Sequence, residues 1–155
     1  MNGLAKCLVA GASAGLVATA AMTVAMEAMF RLLPRWQRFP LPPRYLTVRL
    51  AARAGVAETM DEPARYRATL LSHFAYGTGA GAGYALLARR LPLPSPIGGI
   101  LYGLVVYVVG YVGWLPALGL YQPPTRETAA RDALLVASHV VWGATLALVV
   151  ERRLG

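Results

Sequence analysis

Cysteine occurs once in this chain, at Cys7, which excludes an internal disulfide and any cysteine-based metal site. Lysine also occurs once, at Lys6; the rest of the basic side chains are arginine. Charged residues make up only 14%, against roughly 25% in an ordinary soluble domain. That shortage excludes a conventional globular surface. No small-residue cleavage site precedes the return of charge at Glu27 and Arg31, and the first apolar run is too long for a signal-peptide core. It is expected to be a retained transmembrane helix.

What the chain does have is apolar length. Hydrophobic residues make up 57% of 155 residues, enough for one domain. Runs of about 20 apolar residues cross a bilayer as helices. The sequence offers four: Leu8–Phe30, Ala68–Ala88, Ile97–Leu115 and Ala133–Val150. Pro116 should end or kink the third. The expected fold is all-α, a polytopic membrane protein with four transmembrane helices in a single domain. The net charge of +8 does not point to nucleic acid, because the arginines border apolar spans and no basic face is interleaved with aromatics. Anionic lipid headgroups and the bilayer itself are the expected partners.

The connections differ in kind. Residues 31–67 form a long loop with eight arginines. Its first part, Pro34 to Pro43, holds four prolines and is not expected to be helical. Residues 45–54 suit a short surface helix, with Leu46 and Leu50 on one side and Arg49 and Arg53 on another. Asp61 is placed to cap the second span, Ser95-Pro96 to open the third and Thr125 to cap the fourth. The second and fourth helices should therefore begin in water.

One motif is written twice. Ser-His-Phe-Ala-Tyr-Gly at 72–77 recurs as Ser-His-Val-Val-Trp-Gly at 138–143. Upstream of each copy stands Gly-x-x-x-Gly-Leu-Val, at Gly11 to Val17 and at Gly99 to Val105. Each motif-bearing segment closes on an arginine pair, Arg89-Arg90 and Arg152-Arg153. The pattern reads as a parallel duplication of a two-helix unit, related by an axis along the membrane normal.

Small residues one turn apart mark the packing faces: Gly11/Gly15, Gly77/Gly81, Gly79/Gly83, Gly99/Gly103 and Gly143/Ala147. In lipid, close backbone approach over such residues supplies the contact between helices. A compact bundle is expected, either a homo-oligomer or part of a membrane complex. The run Gly77 to Gly83 imitates a dinucleotide fingerprint but follows a helix rather than a strand, so nucleotide binding is not expected.

Ionisable residues inside a span ask for a reason. His73 and His139 sit at equivalent depths, about 8–9 Å inside their spans at about 1.5 Å per residue. Glu27 ends the first span on the same face, continuing a stripe through Thr23 and Thr19. Tyr107, Tyr111 and Trp114 reach that level from the third span. His73 carries Tyr76 on its own face and His139 carries Trp142. The expectation is one polar layer of Glu27, His73 and His139. Its readings are interhelical packing, a proton- or ion-linked role, bis-histidine haem ligation, or simple interfacial placement.

Catalysis is not expected. Ser72 and Ser138 adjoin the histidines, but neighbours on a helix point about 100° apart and cannot form a nucleophile–base pair. No local ligand spacing supports a metal.

The order of these features resembles a known family. A glycine-rich first span ends in Glu27, then come Pro40-Leu41-Pro42-Pro43-Arg44 and His73 with Tyr84 eleven residues on. A glycine-rich third span leads to Pro116, Leu118-Gly119-Leu120 and Pro123-Pro124, and the His139–Trp142 helix closes on Arg152-Arg153. This resembles the YagU-type family of small bacterial inner-membrane proteins, although the first loop is shorter and lacks cysteines. The resemblance implies a multi-pass inner-membrane protein without established biochemical activity, linked to acid tolerance. It also implies cytoplasmic termini. The loop arginines, counted alone, would place the long loop in the cytoplasm instead. The arginine pairs that directly flank their spans favour the first arrangement.

Overall fold

The computed structural model describes residues 2–90, 93–122 and 126–154. Its helices are α1 (Gly3–Leu32), α2 (Pro42–Arg53), α3 (Glu62–Ala88), α4 (Ile97–Tyr107), α5 (Leu115–Ala117) and α6 (Ala129–Leu154). A π-helical stretch, Val108–Trp114, joins α4 to α5.

Local chemistry sets the helix ends. The Ala5 N–H donates to Asn2 Oδ1 at 2.9 Å, and the Ala64 N–H donates to Asp61 Oδ1 at 2.8 Å. Pro63 sits in the first turn of α3, where it costs no hydrogen bond. Ser95 does not cap α4; Pro96 holds that position without a side-chain hydrogen bond. Thr125, expected to cap the last helix, lies outside the described residues, as do Pro123 and Pro124. The surface helix begins at Pro42, earlier than expected, with Pro42 and Pro43 in its first turn. The third span is disturbed before Pro116: Gly113 leaves helical dihedrals (φ −96°, ψ −105°). The chain then turns at Gly119, whose φ of 62° favours glycine.

Among the described residues, three helical stretches are long and apolar enough to cross a membrane: Gly3–Leu32, Ile97–Ala117 and Ala129–Leu154. The expected fourth, on α3, is diluted by Ser72, His73, Tyr76, Thr78 and its glycines.

The bundle is assembled from antiparallel neighbours. α1 buries Cys7, Ala10, Ala14, Ala18, Met22 and Met26, spaced three and four apart. This face meets both α3 and α6, and α4 packs against α6 through the adjoining face. A Cβ on Gly11 would stand 2.5 Å from the Gly81 carbonyl and from the Ala85 methyl, so no larger residue fits. Gly15 lies as closely on the Gly77 carbonyl. In the second pair, Gly99 lies on Gly143 and Ala147, and Gly103 on the carbonyl of His139. The expected stripes therefore do form the crossings. The stripe of Gly79 and Gly83 does not reach α1: Gly79 has open space, and Gly83 faces the Tyr102 hydroxyl at 3.2 Å.

The two crossings are not in the same register. Gly15 and Gly103 hold matching places in the twice-written motifs, as do Gly77 and Gly143. Yet Gly15 lies on the carbonyl of Gly77 and beside Gly81, while Gly103 lies on the carbonyl of His139 and beside Gly143. The offset is four residues, about 6 Å along the axis.

Candidate functional site

α3 and α4 touch at one end only. The Tyr102 hydroxyl donates to the Ala80 carbonyl at 2.9 Å, and the Tyr84 and Tyr102 rings lie 5.2 Å apart. Towards the long loop the helices part, and the gap is a cavity of about 200 Å³. Met22 and Met26 of α1, Val106 and Gly110 of the third span, and Trp142 of α6 wall it. Its roof is α2, through Pro43, Leu46, Thr47 and Leu50, with Leu120 beside them.

Both histidines face this cavity. His139 is buried, and its Nδ1 lies 2.8 Å from the Leu135 carbonyl one turn back. Nδ1 therefore carries a proton and donates, which leaves Nε2 as an acceptor in the neutral ring. Tyr107 and Tyr111 meet that ring edge-on, at 5.3 and 5.8 Å. His73 differs. Its Nε2 is buried and has no hydrogen-bond partner among the described residues. A buried polar atom without a partner is costly and asks for an explanation. The two also differ in their backbones: that of His139, but not that of His73, lies inside a glycine crossing.

Of the other expected layer residues, Tyr76, Tyr111 and Trp142 also line the cavity. The Trp142 indole N–H donates to Thr19 Oγ1 at 3.1 Å, and Thr19 donates to the Gly15 carbonyl at 2.8 Å. Glu27 is not brought to the histidines. Its side chain is 55% exposed and pairs with Arg31 at 3.2 Å on the outer face of α1. Ser72 shares a 2.8 Å hydrogen bond with Thr47 of the roof, and Ser138 donates to the Leu134 carbonyl at 2.7 Å. Neither serine is paired with a histidine. Among the described residues, no three His, Cys, Asp or Glu side chains converge on a metal-sized site.

The roof is tied down by arginines that were expected to meet lipid headgroups. Arg49 and Arg53 donate to the Gly119 and Leu118 carbonyls, at 3.0 and 2.6 Å. Arg131 is only 2% exposed in its side chain and Glu127 only 1%, and they pair at 3.0 Å. The Arg131 guanidinium also donates to the carbonyls of Gln37, Phe39 and Pro40, at 2.8, 3.1 and 3.2 Å, and lies over the Phe39 ring. It thus fixes the long loop to the start of α6. The Tyr121 hydroxyl and the Gln122 amide donate to Glu127 at 2.6 and 3.0 Å. Burial pushes the Glu127 carboxyl up, but those hydrogen bonds and the Arg131 charge outweigh it and hold it below the usual carboxylate range. Tyr121 is pushed above the usual phenol range by burial and by its bond to Glu127. The one sequence signal for this cluster is the four-residue spacing of Glu127 and Arg131 just ahead of an apolar run.

No protein-family model matches the chain, and neither does any curated protein or solved structure.

Proposed function

We propose that the chain is a four-span protein of the bacterial inner membrane, with cytoplasmic termini, that binds a small molecule in the paired-histidine cavity without transforming it. The observation that carries this reading is a cavity lined by both His73 and His139, with the His73 Nε2 buried beside it and unpartnered. An internal polar atom left unmatched is kept where a ligand matches it.

The fourth span is α3. Its residues 68–88 carry no charged side chain, and it packs along α1 through Gly77 and Gly81. Glycine crossings in both helix pairs favour descent from a duplicated unit, with the one-turn offset acquired between the copies. Membership of the YagU-type family, and with it a link to acid tolerance, belongs to the same proposal. Ser72 is engaged with Thr47 and Ser138 with the Leu134 carbonyl, so neither motif serine is set against its histidine. Haem is disfavoured: a cavity of about 200 Å³ falls below the ~300–1,000 Å³ of ordinary ligand pockets.

The test is genetic. A Cβ on Gly110 meets nothing closer than Leu115 Cδ1 at 4.0 Å, so Gly110→Leu can fill the cavity while sparing the helix crossings. That variant, and a His73→Gln/His139→Gln double variant, should lower growth under acid challenge at unchanged protein level. Wild-type growth in both, with normal folding, contradicts the reading.

A further inference from the structure

The cavity's chemistry narrows what it can hold, and the narrowing rests on the binding reading above. Among the described residues, no Asp, Glu, Lys or Arg lines it. A cation placed there would lose its hydration without a counter-ion, and an anion would find one only in a protonated histidine, so an uncharged occupant costs least. Four aromatic side chains stand on the lining: Tyr76, Tyr111, Trp114 and Trp142. Such walls favour a flat ring, which stacks or meets them edge-on. The volume agrees. An engineered cavity of about 150 Å³ holds benzene, so about 200 Å³ holds one substituted ring and little more. The Nε2 of His73, unpartnered and shielded from the cavity as the ring stands, takes one oxygen of that ligand when the imidazole turns towards the lining: a carbonyl accepts from a protonated Nε2, and a hydroxyl donates to a bare one.

The cavity also has a side opening. Tyr76 of α3 and Trp114 of the facing π-helical stretch line it, yet they are 52% and 40% exposed, and Leu50 of the roof is 49% exposed. All three therefore stand at a mouth between α3 and the π-helical stretch. In the four-span arrangement that mouth faces the acyl chains of the bilayer, so an apolar tail can leave through it while the ring stays inside.

We infer that the cavity binds an uncharged single-ring lipid, a quinone or a phenol, with its ring oxygen on His73 Nε2 and its tail passing between Tyr76 and Trp114 into the membrane. Quinone and phenol offer the same oxygen from two sources, a carbonyl and a hydroxyl. Binding involves no bond making and no electron transfer.

The test is a titration of the full chain carrying Trp36→Phe in nanodiscs, read by fluorescence of Trp114 and Trp142. The probes are decylbenzoquinone, decylphenol, farnesol, decanoate and glycerol. Saturable quenching or shift by decylbenzoquinone, decylphenol or both supports the proposal, and the stronger of the two identifies the oxygen. Gly110→Leu should abolish the response. His73→Leu should raise Kd about tenfold, the worth of one lost hydrogen bond, and His73→Gln should recover part of that loss. Equal binding of farnesol overturns the ring, and equal binding of decanoate overturns the exclusion of charge. Binding of glycerol alone overturns the lipid class. No saturable response to either ring probe, in protein whose Gly110→Leu variant still shows the acid defect, overturns the ligand class and leaves the cavity reading standing. A wild-type acid phenotype for Gly110→Leu is the separate failure of that reading.

Discussion

Gly103 lies against the backbone carbonyl of His139, whereas Gly15, its counterpart in the other helix pair, lies against Gly77. The same small-residue code thus closes two crossings one turn out of step. The backbone of His139 lies within a crossing and that of His73 does not, while both side chains line the cavity.

The crossings should be sterically strict. Gly15→Leu or Gly103→Leu drives a side chain into a neighbouring backbone, and overpacking of that kind costs about 1–3 kcal/mol or more. Gly79→Ala, which points into open space, should stay within about 0.5 kcal/mol of wild type. Thermal unfolding in detergent separates the two classes.

Arg131 should matter more than any exposed arginine. Breaking a buried pair costs about 3–5 kcal/mol because the surviving charge stays buried. Arg131→Ala should therefore unfold or strongly destabilise the protein and expose residues 31–41 to protease. Arg31→Ala removes only an exposed pair with Glu27 and should cost less than about 1 kcal/mol. Limited proteolysis with melting curves checks both.

The same cluster sets an acid limit. The Glu127 carboxyl is held below its usual value in the folded protein, so its contribution is complete above about pH 4.3, the ordinary glutamate value. That contribution is lost as pH falls through the lower, folded value. The melting temperature should drop on acidification below about pH 4, where the ordinary carboxylates begin to protonate. The drop should be shallower in Glu127→Gln, which has no such proton to take up.

Much of the scaffold was legible because it depends on short-range rules. Asp61 caps its helix as its spacing requires, and the glycine pairs form the crossings because nothing else permits such approach. Glu27 was misplaced for a geometric reason. Steps of four residues advance about 40° around a helix of 3.6 residues per turn. Thr19 is buried, Thr23 half-buried and Glu27 exposed, while Met26, seven residues after Thr19, stays on the inner face. Arg131 was hidden for another reason: its partners are the carbonyls of Gln37, Phe39 and Pro40, some ninety residues away. Carbonyls carry no sequence signature. The cavity was equally unreadable, since it is defined by where α3 and α4 fail to touch.

α2 should behave as a roof that can be loosened. Arg49→Ala with Arg53→Ala removes both of its carbonyl bonds to the turn at Gly119 while leaving the Thr47–Ser72 contact. Amide exchange in 42–53 should quicken, with α1 and α6 unchanged. Exchange mass spectrometry resolves the segments.

The most direct test of the central claim is a native mass spectrum of the protein released from membrane nanodiscs. Wild type should carry a small-molecule adduct that the folded Gly110→Leu variant lacks. Identical spectra from the two proteins, with or without an adduct, would contradict a ligand held at His73 and His139.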